Sequence, residues 1–124
     1  MAQHDLPELI YIYDAYCGWC YGMSPVIVQA QANFADEVAV NVLSGGMLAG
    51  EQAEPISEGW EYIQTAMPQV ERATGVHFGE AYRQLGEQGT HWQDSAVPAR
   101  ALYVFRQLDE WQRVAQFAHD IQLA

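Results

Sequence analysis

A chain of 124 residues, half of them apolar, can bury one modest core, which argues against disorder. Five basic residues, all Arg, against sixteen acidic ones give a net charge of −11; nucleic acid is not an expected partner, and anionic membranes are disfavoured. The N-terminus has no cationic segment followed by an apolar run, and no stretch approaches about eighteen consecutive apolar residues, so a soluble, unexported, cytoplasmic protein is expected.

Residues 9–13, Leu-Ile-Tyr-Ile-Tyr, form a short run of β-branched and aromatic side chains, the pattern of a strand covered on both faces. Helical spacing starts after Cys17 and continues to about Ala35, with Pro25 in an early turn or at a kink. Residues 37–43 alternate with period two and predict a second strand, closed by Gly45 and Gly46. Strand, helix and strand in this compass make a right-handed βαβ unit.

After Gly50 no further strand is predicted. Trp60, Ile63, Met67 and Val70 recur at helical spacing behind Ser57 as an N-cap, and Pro68 is expected to break this stretch into two helices. A short helix over residues 78–85 leads into a link through Gly86 and Gly89. Asp94 and Ser95 read as a cap, with Pro98 in the first turn and Ala99, Leu102 and Tyr103 continuing the helix. The last helix is placed from near Asp109, with Trp111, Val114, Ala115, Ala118 and Ile121 on one apolar stripe. The fold class is therefore α/β, with a βαβ segment over residues 1–50 and a helical segment over residues 51–124. Trp60, Trp92 and Trp111 read as core anchors, and His77, His91 and His119 as solvated side chains without a role.

Cys17 and Cys20 are the only cysteines, too few and too close together for the scaffold of a secreted domain. The nucleophile in disulfide exchange is the thiolate, and a free thiol with a pKa of about 8.5 is mostly protonated at neutral pH. No basic residue lies between Met1 and Val70, so the anion must be favoured by the unpaired N–H groups and dipole of a helix N-terminus. Cys17 comes first and is assigned as the attacking thiol; Cys20, one turn later, resolves the mixed disulfide. Gly18 leaves room for an incoming chain, and Trp19 offers an apolar platform for a substrate peptide. Asp14, at the strand end, is a candidate proton acceptor for Cys20, although its charge would raise a thiol pKa by repulsion.

Two other readings of the pair stand beside this one. A C-x-x-C is half of a zinc site, but His4, His77, His91 and His119 form no H-x₃₋₅-H pair and no second C-x-x-C exists, so no metal is expected. The cysteines could also be ordinary buried thiols among the core aromatics Tyr16, Trp19 and Tyr21.

The run Tyr13-Asp14-Ala15-Tyr16-Cys17-Gly18-Trp19-Cys20-Tyr21-Gly22-Met23-Ser24-Pro25 resembles the active-site segment of the DsbA-like thioredoxin family. It is nearest to chains described as predicted protein-disulfide isomerases or FrnE-like oxidoreductases. Leu43-Ser44-Gly45-Gly46-Met47 resembles the double-glycine end of the family's second strand, and residues 92–101 resemble a helix start in its inserted helical domain. The resemblance implies a thioredoxin fold with a helical insertion and a dithiol that exchanges with protein or small-molecule disulfides. It implies no cofactor beyond that dithiol, with glutathione as a redox partner.

The family also has a later strand preceded by a cis-proline loop, and the sequence stops at Ala124 without it. Val97-Pro98 reads as a helix start and is expected to be trans. A truncated member lacking the second β half is thus expected, either a fragment or a chain that self-associates through an open strand edge. Kappa-class glutathione transferases and 2-hydroxychromene-2-carboxylate isomerases resemble the same architecture but position glutathione with a single Ser or Cys; the intact C-x-x-C ranks them second. A non-catalytic interaction module is the third reading.

Overall fold

The computed structural model of the chain describes residues 5–109 and 111–124. His4 lies outside them. Strand β1 (Glu8–Tyr13) pairs in parallel with β2 (Ala39–Ser44), in register from Glu8 opposite Ala39 to Tyr13 opposite Ser44, with helix α1 (Gly18–Asn33) as the crossover. The βαβ unit is present. β2 starts later than its alternation suggests, because the N–H groups of Glu37 and Val38 both turn back to the Phe34 carbonyl and finish the helix end.

Pro25 sits inside α1, where it has no N–H to give the Tyr21 carbonyl one turn back. The Ser24 hydroxyl takes over that bond at 2.7 Å, so the helix continues.

Two short 3₁₀ turns, Gly50–Gln52 and Ile56–Glu58, precede α2 (Trp60–Thr74), α3 (Glu80–Gln88), α4 (Ala96–Asp109) and α5 (Val114–Leu123). Contrary to expectation, strand pairing does occur here: β3 (Glu54–Pro55) lies antiparallel to β4 (Trp92–Gln93). Each is two residues long, too short to leave a periodic pattern. Pro68 does not divide α2, whose buried face of Trp60, Met67 and Val70 holds the helix across the missing donor. Its N-cap is Gly59; Ser57 belongs to the 3₁₀ turn before it.

Gly86 is inside α3 and not in a link; its missing side chain makes room for the Trp60 ring, which a β-carbon there would run into. The helix ends at Gly89, in the left-handed conformation that glycine tolerates (φ 75°).

The last helix starts at Val114 and not near Asp109, which closes α4. Between them Trp111 adopts φ 71° and reverses the chain. Gln31 of α1 pins this turn, its amide donating to the Trp111 carbonyl (2.7 Å) while its oxygen accepts from Ala115 N–H (3.1 Å). The Arg106 guanidinium lies over the Trp111 ring, 5.3 Å from its centroid.

Two cores result. Tyr13, Ile27, Val40, Val42, Leu102, Val114, Ala115 and Ala118 form the first, so α4 and α5 cover the βαβ unit directly. Ile56, Trp60, Met67, Val70 and Phe78 form the second, between α2, α3 and the flank of α1 that carries Tyr21. β1 is not covered on both faces as expected: Ile10 and Ile12 are 51 % and 64 % exposed, because the helices gather over β2. Trp60 is a core anchor; Trp92, 58 % exposed, is not. No described helix is long and apolar enough to cross a membrane.

Candidate active site

β1 ends at Tyr13, and the chain then turns through Asp14, Ala15 and Tyr16, closing with a bond from Cys17 N–H to the Asp14 carbonyl (3.1 Å). The Asp14 side chain is buried and fully engaged. One carboxylate oxygen accepts from Tyr16 N–H (2.9 Å) and the Ser95 hydroxyl (3.0 Å), the other from Met47 N–H (2.8 Å). Ser95 in turn accepts from Leu48 N–H (2.9 Å). From α5, the Gln122 amide reaches the carbonyls of Asp14, Ala15 and Cys17 at 3.3–3.5 Å. The turn before α1 is therefore gripped by the loop after β2, the start of α4 and the end of α5.

Cys17 is the N-cap of α1, with extended backbone (φ −86°, ψ 117°), and its sulfur accepts from Cys20 N–H at 3.2 Å. This is the geometry that satisfies an orphan donor and favours an anion. The Cys17 thiol is accordingly lowered to about 6, first by the hydrogen bond from the Cys20 thiol and then by the N–H groups of Cys20 and Trp19; burial and the Asp14 charge oppose this. Cys20 is pushed strongly upward, chiefly because its proton is shared with Cys17 and secondly by burial. The Asp14 backbone N–H and the Tyr11 hydroxyl pull the other way. Both cysteines are free thiols.

Beside Cys17 a cleft of about 270 Å³ opens between the helix start, α2 and α3, walled by Trp19, Ile63, Met67, Phe78 and Tyr82. Gly18 keeps its floor low: a β-carbon there would sit 3.5 Å from the Phe78 ring. Glu54 lines the cleft, and no Arg does. Trp19 is about half exposed, at the edge of this cleft and next to Cys17.

No protein-family model matches the sequence, and no curated protein matches it significantly. Solved structures do. The cytosolic disulfide reductase DsbM from Pseudomonas aeruginosa superposes with a TM-score of 0.76 at 30% identity over 93% of this chain and 52% of that one. DsbM with GSH gives 0.73 at 31% identity, over 93% of this chain and 53% of that one. A candidate protein disulfide isomerase from Nitrosomonas europaea gives 0.70 at 26% identity, over 94% and 53%. The chain has the DsbA-like thioredoxin fold. It spans about half the length of each of these solved chains.

The structure places Asp14, Cys17, Trp19 and Cys20 around the start of α1 and adds residues that the sequence concealed. His119, read as solvated, instead meets the buried Ser24 hydroxyl at 2.5 Å through Nδ1. Because that hydroxyl gives its proton to the Tyr21 carbonyl, the imidazole is the donor. The ring also stacks on Tyr21, with centroids 6.3 Å apart, so α5 is latched to α1 one turn beyond Cys20. His91 lies 6.4 Å from the Tyr16 ring, and His77 pairs with Glu71 at 3.1 Å. Among the described residues no peptide bond is cis, and no three His, Cys, Asp or Glu side chains gather as a metal site would require. Tyr11, which reads in the sequence as strand filler, packs with Cys20 against the first core.

Proposed function

We propose that this chain carries the reactive centre of a thiol–disulfide oxidoreductase acting through a Cys17–Cys20 dithiol. The observation that carries the reading is the opposed state of the two sulfurs: Cys17, at the helix N-cap, is held near an anion while Cys20 keeps the shared proton. In the reducing direction the Cys17 thiolate attacks one sulfur of a substrate disulfide, forming a mixed disulfide and expelling a substrate thiolate. Cys20 then loses its proton and attacks Cys17. The internal disulfide forms, the second substrate thiolate leaves, and two electrons have passed to substrate. Isomerisation would use the mixed disulfide alone, returning Cys17 to its thiolate.

Protein and small-molecule disulfides are both substrates in this reading, with glutathione as the redox buffer, as the DsbM structure with GSH suggests. The apolar wall of the cleft and its acidic Glu54 favour an apolar peptide segment next to the disulfide over the anionic tripeptide. No further cofactor, metal, nucleic acid or membrane is invoked, and the cytoplasm is the proposed compartment. Ile10 and Ile12 on the exposed side of β1 support self-association as an accompanying proposal, checked by sedimentation of the wild type against Ile12→Lys. The kappa-class reading has less support, since it needs one such residue and Cys20 is hydrogen-bonded to the other. The role of Asp14 as proton acceptor for Cys20 has less support, since a carboxylate already receiving three donors is better suited to bracing the turn.

The test is equilibration of Cys17 and Cys20 with glutathione buffers, read by mass after alkylation. A two-electron transition lost in Cys17→Ser is expected; an unreactive wild type would sink the proposal.

A further inference from the structure

The proposed reaction leaves one step without a visible partner. In the reduced chain the Cys20 proton is committed to Cys17. Once Cys17 is in a mixed disulfide that arrangement ends, and Cys20 must become an anion to attack it. No Lys exists in the chain, and no Arg precedes Arg72. The Asp14 carboxylate is occupied by Tyr16 N–H, Met47 N–H and the Ser95 hydroxyl, and His119 of α5 is engaged on Ser24.

What β1 packs into the same core as Cys20 is a pair of phenols. Tyr11 and Tyr13, two positions apart on one strand, share a face, and their ring centroids are 6.2 Å apart. Both pack in the core where Cys20 also packs. The Tyr11 side chain is near enough to Cys20 that each shifts the other's titration. Tyr13 is 3 % exposed, and its hydroxyl is buried without any partner. Leaving such a group unsatisfied is costly, and natural cores rarely do so without a use for it.

We propose that Tyr11 and Tyr13 form a hydroxyl pair that stabilises the Cys20 thiolate while it resolves the mixed disulfide. The inference rests on the dithiol reading above and adds to it the groups that make the second step possible. The Cys20 proton leaves to water, and the Cys20 anion, held by one or both hydroxyls, attacks the Cys17 sulfur. The Cys17–Cys20 bond forms, the Cys17–substrate bond breaks, and the departing substrate thiolate takes a proton from water. The phenols donate and are not bases: burial raises both, with the negative charge of Cys20 adding to the shift, so they keep their protons throughout. Hydrogen bonds to a charged group are the stronger kind, which suits a charge that exists only in this step.

The experiment is a single turnover of the reduced full chain with an aromatic disulfide whose thiolate is coloured, such as dithiobis(nitrobenzoate). The first release reports Cys17 attack and the second reports resolution by Cys20. Tyr11→Phe and Tyr13→Phe, each keeping the ring, are expected to leave the first rate within about twofold and to slow the second by about tenfold, the size of one lost charged hydrogen bond. The mixed disulfide should accumulate correspondingly in mass spectra. In a Cys17→Ser background, the alkylation pKa of Cys20 should rise on either substitution, which a purely structural role for the ring would not produce. Equal second-step rates in wild type and the double Phe variant overturn the proposal. A wild type with no first release instead overturns the dithiol reading and this inference with it. Tyr11, being less buried, serves alone if Tyr13→Phe melts early.

Discussion

The two sides of Cys17 are built from opposite materials. Below it lies a polar grip, in which the Asp14 carboxylate, the Ser95 hydroxyl and the Gln122 amide tie one short turn to the loop after β2, the start of α4 and α5. Beside it lies an apolar cleft, in which Trp19, Ile63, Met67 and Phe78 offer surface and almost no hydrogen bonds. The grip fixes where the sulfur stands and what charge it carries, because backbone N–H groups favour an anion only when they are held in place. The cleft supplies apolar contact without direction. Position and binding are thus separable, and substitutions should separate them.

The largest effect belongs to the sulfur that both sides serve. Cys17→Ser should abolish disulfide exchange in a glutathione-coupled assay, while Cys20→Ser should retain the attack and trap mixed disulfides. Alkylation of the wild-type Cys17 should rise with a midpoint at about pH 6.

The grip is next. Asp14→Ala leaves three donors without their acceptor and is expected to cost about 2–4 kcal/mol, read by urea unfolding. Asp14→Asn should cost less and move the Cys17 midpoint further down, since the Asp14 charge opposes the thiolate. An unchanged midpoint would show that the carboxylate does not act on the sulfur.

The cleft and the second core behind it come third. Gly86→Ala forces a β-carbon into the Trp60 ring and should destabilise by about 1–3 kcal/mol, with the Cys17 midpoint unmoved. Trp19→Ala should slow exchange with an apolar peptide disulfide by several-fold more than with glutathione disulfide. Equal slowing would deny the cleft its part in selectivity.

The smallest effect is a stability profile. Cys17 titrates lower in the folded chain than in the unfolded one, so between about pH 6 and 9 the unfolded chain binds the extra proton and stability rises with pH. Cys20 titrates higher when folded, so above about pH 9 the folded chain binds the extra proton and stability falls. Chemical unfolding of the reduced chain at a series of pH values should show this rise and fall relative to Cys17→Ser/Cys20→Ser.

Much of the grip was invisible along the chain. Asp14 could be noticed as an acid near a thiol, but its partners Met47 and Ser95 are ordinary residues far along the chain, and Gln122 reads as one more polar position on a helix. The latch of Ser24 and His119 was hidden for the same reason, and His119 looked solvated because its partner lies on another helix. Trp92 misled in the opposite sense: a tryptophan suggests a core, yet the two-residue pairing of β3 and β4 leaves it outward. Pro68 suggested a break because local propensity counts the missing donor and not the buried face that outweighs it.

By itself the sequence determined the βαβ unit, since strand runs and helical spacing are local patterns, and it determined where the thiols would stand. Two sulfurs three positions apart at a helix start have little freedom, so Cys17 at the N-cap and Cys20 one turn on follow from geometry within six residues. Only the tertiary structure decided what surrounds them. Charge on a sulfur depends on every donor and carboxylate that packing brings within a few ångströms, and those came from β1, the loop after β2, α4 and α5.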